Sequence, residues 1–142
     1  MTINRFMTSE HRRCDDVFAQ LESAIDSGNF DSAKALFEEF HNDMLKHFRQ
    51  EENVMFAEFN TCSGGGCNPT HVMVAEHDQM RVTMDQIKKA IENGDKNKAL
   101  GLCENLLFIM QQHNMKEEQI MYNLADNTLD SDDIIEKMKL VS

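Results

Sequence analysis

A single proline, at position 69, leaves the 142-residue chain with almost nothing to interrupt a helix. Tryptophan is absent and methionine is abundant, eleven in all, which predicts an adaptable core filled by flexible thioethers. Basic residues are scarce: 14 lysines and arginines stand against 25 carboxylates, for a net charge of −11, with no basic cluster. That argues against nucleic acid or an anionic membrane as partner. No apolar run approaches the length of a membrane span, and the first residues contain no signal-peptide core, so the expected location is the cytoplasm. The four cysteines form no framework of the kind that staples small secreted domains, which fits a reducing compartment. At this length the expectation is one domain over residues 1–142, long enough for a real core.

What is present is a stretch that occurs twice. His47-Phe48-Arg49-Gln50-Glu51-Glu52-Asn53-Val54-Met55-Phe56 and His113-Asn114-Met115-Lys116-Glu117-Glu118-Gln119-Ile120-Met121-Tyr122 share one pattern. Each is histidine, three residues, two glutamates, a polar residue, a β-branched residue, methionine and an aromatic ring. On a helix, positions i and i+4 lie about 40° apart on one face. His47 with Glu51, and His113 with Glu117, therefore each present an imidazole beside a carboxylate. A solitary pair of this kind is usually solvated. Here Met44, Val54 and Met55 flank the first pair, and Ile109, Met110, Ile120 and Met121 the second. Histidine and glutamate set in a core-facing stripe are costly to bury without partners, and a metal ion supplies the partner.

The remaining chain supplies the other helices. Thr8 or Ser9 is expected to cap a first helix over 8–27, apolar at Cys14, Val17, Phe18, Leu21 and Ile25, with His11 near its start. A second, capped by Asp31, runs to about Phe59 and carries His41 and His47. These two stand about 120° apart, so His41 points away from the pair. Three consecutive glycines make 60–68 a loop, with Cys62 and Cys67 as ordinary loop thiols; a disulfide or redox-sensitive pair is the alternative. Cys62, Cys67 and His71 lack the spacing and fourth ligand of a structural zinc site. Asn68 and Pro69 open a third helix through Val72, Met73, Met80, Met84, Ile87 and Ile91, with His77 inside the stripe and His71 off it. Asp95 caps a fourth, which runs to about Ala125. A tail helix over 131–140, apolar at Ile134, Ile135, Met138 and Leu140, packs across the bundle end.

The fold class expected is all-α: an up-down-up-down four-helix bundle over about 8–125, with a short C-terminal helix. One histidine faces inward from each long helix, His11, His47, His77 and His113, joined by Glu51 and Glu117. Four imidazoles and two carboxylates meet the needs of two first-row metals, each taking two nitrogens, with both carboxylates bridging. Iron, manganese or zinc suits such donors, and at least one position per metal stays open.

The ordered set of His11, His47-x-x-x-Glu51-Glu52, Asn68-Pro69-x-x-x-Met73-x-x-x-His77-Asp78 and His113-x-x-x-Glu117-Glu118 resembles the hemerythrin-like, HHE cation-binding family. The resemblance implies a non-haem di-iron centre, oxo- or hydroxo-bridged, with His11, His47, Glu51, His77, His113 and Glu117 as ligands. Oxygen-carrying hemerythrins place a further histidine where this chain has Met73, and their last carboxylate falls five residues after the final histidine. Here both Glu117 and Glu118 are acidic. The pattern more closely resembles the repair-of-iron-centres proteins and related bacterial sensors, and this chain is expected to supply only the metal-binding half of that comparison, with no additional N-terminal domain. Three readings stand. One is a di-iron module binding dioxygen or nitric oxide for sensing, scavenging or stress response. Another is an enzyme that acts on peroxide or nitric oxide, or donates iron to damaged centres, with Cys14, one turn from His11, to tune the centre or supply electrons. The last is an iron-responsive structural bundle.

Overall fold

The computed structural model describes residues 1–62 and 69–142. Among these there is no strand. The elements are α1 (Ile3–Asp26), α2 (Phe30–Gln50), α3 (Ala57–Cys62), α4 (Thr70–Glu92), α5 (Lys96–Lys116), α6 (Tyr122–Thr128) and α7 (Ser131–Lys139). A π-helical segment, Glu51–Phe56, carries α2 into α3 without a break, and a second, Glu117–Met121, carries α5 into α6. Four long rods result. α1 packs on α2, α2 on α4, α4 on α5 and α5 back on α1, closing an up-down-up-down bundle, while α7 crosses its end against α1 and the first π segment.

α1 begins at Ile3, not at Thr8 or Ser9. Thr2 Oγ1 accepts from the Arg5 amide at 3.1 Å, and the Asp126 carboxylate accepts from the Ile3 and Asn4 amides at 2.7 and 3.1 Å. A carboxylate over the first turn satisfies free N–H groups and complements the helix dipole. Its sequence distance hides it from any local pattern. Asp126→Ala is expected to cost about 1–2 kcal/mol, read as a lower urea midpoint with unchanged slope. The bundle thus starts several residues before the expected boundary at 8, and His11 lies well inside a helix. Asn29, rather than Asp31, caps α2, and Gly28 takes the left-handed φ of +76° that lets the chain turn there. Asp95 caps α5 as expected, accepting from the Lys98 amide. Pro69 sits just before α4. Asn68, the glycine run and Cys67 fall outside the described residues; Cys62 is exposed at the end of α3.

The core is in two pieces. A larger apolar cluster includes Phe18, Leu21, Phe37, Phe40, Met80, Met84, Ile87 and Leu106. A smaller one includes Ile3, Met7, Met55, Phe56, Met73, Met121 and Tyr122, capped by Ile134, Ile135 and Met138 of α7. All methionines except Met1 and Met115 are buried. Along every rod the two clusters are separated by one level, and that level holds the inward histidines. Some expected core positions are not there. Val72 and Ile120 are 51% and 54% exposed, and Leu140 lies beyond α7 in water. Ile120 is displaced because the π turn adds a residue, which swings Met121 and Tyr122 inward instead. No helix among the described residues is long and apolar enough to cross a membrane.

Candidate metal centre

Four rods deliver six polar side chains to the level between the apolar clusters. His11, His47, Glu51, His77, His113 and Glu117 are each at most 5% exposed. The histidines pair across neighbouring helices: His11 with His47 and His77 with His113, ring centroids 4.8 Å apart in both cases. Each glutamate joins the two pairs. Glu51 Oε1 lies 3.2 Å from His47 Nε2 and 3.1 Å from His77 Nε2. Glu117 Oε1 lies 3.1 Å from both His11 Nε2 and His113 Nε2.

Both π segments start at these glutamates. The wider turn occurs immediately after each histidine turn, so the same local distortion sits in both copies of the repeat. Such insertions in a helix are common where function requires a side chain to be re-aimed.

The second glutamate of each doublet has a different task. Glu52 Oε2 accepts from His77 Nδ1 at 2.5 Å and is held by Arg81; Glu118 Oε2 accepts from His11 Nδ1 at 2.8 Å. Glu76, the residue before His77, accepts from His113 Nδ1 at 2.9 Å and is gripped by Lys116. Each of these carboxylates fixes an outer ring nitrogen and so aims Nε2 at the centre. His47 is the exception, with its buried Nδ1 unpartnered. Glu118→Ala should weaken metal affinity by roughly 10–100-fold without abolishing saturation, as measured by competition with a chelator.

Charge balance runs through the cluster. Burial pushes the His11 and His77 imidazoles down, but hydrogen bonds and the charge of the surrounding glutamates outweigh it, raising them to about 10 and about 9. Burial pushes Glu51 up, and the nearby His47, with hydrogen bonds in the cluster, pulls it well below the usual carboxylate range. Burial also lifts the Cys14 and Cys103 thiols to about 12, so both act as apolar packing inside the larger cluster.

One residue enters the centre that the spacing argument did not assign to it. Tyr122 is fully buried, and its Oη lies 2.8 Å from Glu51 Oε2, 2.9 Å from Glu117 Oε1, 2.9 Å from His11 Nε2 and 3.5 Å from His47 Nε2. Burial, together with the Glu117 and Glu51 charges, holds the phenol well above its usual range, and it donates to the carboxylates. The signal was present in the repeat, whose terminal aromatic is phenylalanine in one copy and tyrosine in the other. The remaining histidines stay outside. His41 is half-buried and stacks on Phe37 at 5.3 Å, and His71 is exposed. His41→Ala is therefore expected to leave metal content unchanged on elemental analysis.

The donor set can hold a metal. Glu51 Oε1, His77 Nε2, His113 Nε2 and Glu117 Oε2 are buried without hydrogen-bond partners, and one candidate ligand group is made of those same four residues. His11, His47 and Glu117 form a second. Orphaned buried polar atoms facing one another are expensive unless a cation lies between them. With nitrogen and oxygen donors and no thiolate, the set suits iron, manganese or zinc. In comparison with known proteins, the family model described as Hemerythrin HHE cation binding domain matches residues 2–125. No curated protein and no solved structure matches the chain.

Proposed function

Since the chain belongs to the hemerythrin HHE cation-binding family, we propose that it is a di-iron protein that binds dioxygen or nitric oxide, for sensing, scavenging or stress response. His11 and His47 would hold one iron and His77 and His113 the other, with Glu51 and Glu117 spanning both. When bound, two irons with an oxo or hydroxo bridge supply one-electron chemistry and open coordination. The observation that carries the reading is the orphaned quartet of Glu51, His77, His113 and Glu117.

The chain's own residues bear on the choice of ligand. Glu52, Glu76 and Glu118 keep three imidazoles aimed inward, and Met73 and Met121 belong to the smaller apolar cluster. An apolar notch of about 190 Å³, lined by Pro69, Val72, Met73, Lys116, Ile120 and Met121, opens between α4 and the second π segment. Because Met73 stands one turn before His77, the His77 half has two imidazoles rather than three.

The test is titration of the iron-loaded, anaerobically reduced protein with nitric oxide and with dioxygen, followed optically. Saturable binding without consumption of reductant supports the reading. Sustained turnover of nitric oxide or peroxide with a reductant would make the protein an enzyme. Iron-dependent helicity without any ligand response would make it a structural bundle.

A further inference from the structure

The two halves of the repeat end differently, and the difference lies inside the centre. Phe56 stacks its ring 6.0 Å from that of His77, and Tyr122 places its ring 5.6 Å from that of His11. The two aromatics thus flank opposite histidine pairs in equivalent places. Only one carries a hydroxyl, and apart from the outer Nδ1 of His47 the orphaned atoms follow that division. The Glu51–His77–His113–Glu117 quartet has an unpartnered atom on every member. Around His11 and His47, by contrast, the phenol oxygen reaches every ligating side chain.

The distances have a coordination meaning. Donor atoms at right angles around one metal, with bonds of about 2.0–2.2 Å, stand about 3 Å apart. His11 Nε2 is 3.1 Å from His47 Nε2 and 3.1 Å from Glu117 Oε1. Tyr122 Oη is 2.8 to 3.5 Å from the same two nitrogens, from Glu117 Oε1 and from Glu51 Oε2. Its separation from its neighbours is that of one more vertex in the same polyhedron.

We propose that Tyr122 is a protein ligand of the metal held by His11 and His47, closing that half of the centre and leaving the His77–His113 half as the open one. The inference rests on the di-metal reading above. Coordination forms one oxygen–metal bond, and the phenol proton passes to solvent; no electron is transferred. The asymmetry directs an incoming small molecule to the half that lies beside the apolar notch of Met73 and Met121.

The chain offers an unusually clean readout, because it has one tyrosine and no tryptophan. Titration of the metal-free protein with zinc, which has no redox or visible chemistry of its own, should produce a near-ultraviolet phenolate difference band at neutral pH. The band should grow with metal bound and saturate with it. Ferric protein should show a visible phenolate-to-iron band that Tyr122→Phe removes while metal content and the near-ultraviolet bands remain. Zinc binding to saturation with no phenolate band overturns the assignment, leaving the phenol a hydrogen-bond donor only. Superimposable ferric spectra of wild type and Tyr122→Phe do the same. Failure of the wild-type chain to bind either metal overturns the di-metal reading and this inference together, whereas metal binding without the phenolate signature removes the inference alone.

Discussion

Glu117→Ala is expected to lower the metal content of the purified protein from about two ions per chain to below one. A single oxygen of Glu117 stands 3.1 Å from a nitrogen of each histidine pair, so its loss removes the link between the two halves. It also removes the negative charge that keeps His11 raised to about 10, and leaves imidazoles facing one another in an apolar interior. Glu51→Ala should behave likewise, because Glu51 Oε1 spans His47 and His77. Glu118→Ala separates the roles: it should weaken affinity yet fill when metal is in excess, since Glu118 touches only the outer nitrogen of His11. Elemental analysis of the three variants, purified side by side, decides this. Near-full occupancy in Glu117→Ala or Glu51→Ala would contradict the bridging assignment.

Removing the metal should cost several kcal/mol of stability. Four buried atoms of the quartet have no hydrogen-bond partner, and each such group costs about 1–3 kcal/mol when left unsatisfied. For a chain of this size, a loss of that order lowers the melting temperature by about 10 °C or more. The pH dependence has a definite sign. In the metal-free chain, His11 and His77 are raised from 6.5 to about 10 and about 9, so their protonation stabilises the fold below 6.5 and that contribution is lost as pH rises through 9 to 10. The metal-loaded form has the opposite bias, because protons compete with the metal for the same nitrogens. The gap in melting temperature between loaded and chelator-treated protein should therefore widen from pH 7 to pH 9 and narrow on acidification. A gap that stays constant across that range would mean that the histidines do not exchange protons for metal.

The bundle was legible because the apolar period holds along each rod up to its π segment, and Gly28 and Gly94, both at positive φ, mark where rods end. The paired His-x-x-x-Glu was legible because a spacing of four puts both groups on one helix face, and the apolar flanks said which way that face points. Three features were not. α1 starts at Ile3 because Asp126 reaches its first turn from α6, a contact that no local pattern encodes. The π segments add a residue after each histidine turn, so positions read at a constant period, such as Ile120, fall on the wrong face while Tyr122 turns inward. Glu76 holds His113 across the α4–α5 contact, a pairing that depends on the packing of two helices rather than on spacing within either. Glu52 and Glu118 lay in between: the doubled glutamate was visible, but its division of labour needed the neighbouring helix.

The most direct test of the central claim is iron content per chain together with the ultraviolet–visible spectrum of the aerobically loaded protein. About two irons per chain are expected, with charge-transfer bands of a bridged ferric pair in the near ultraviolet. One zinc per chain, or no metal at all, would contradict the claim and reduce the buried histidines and glutamates to a polar layer in a helical bundle.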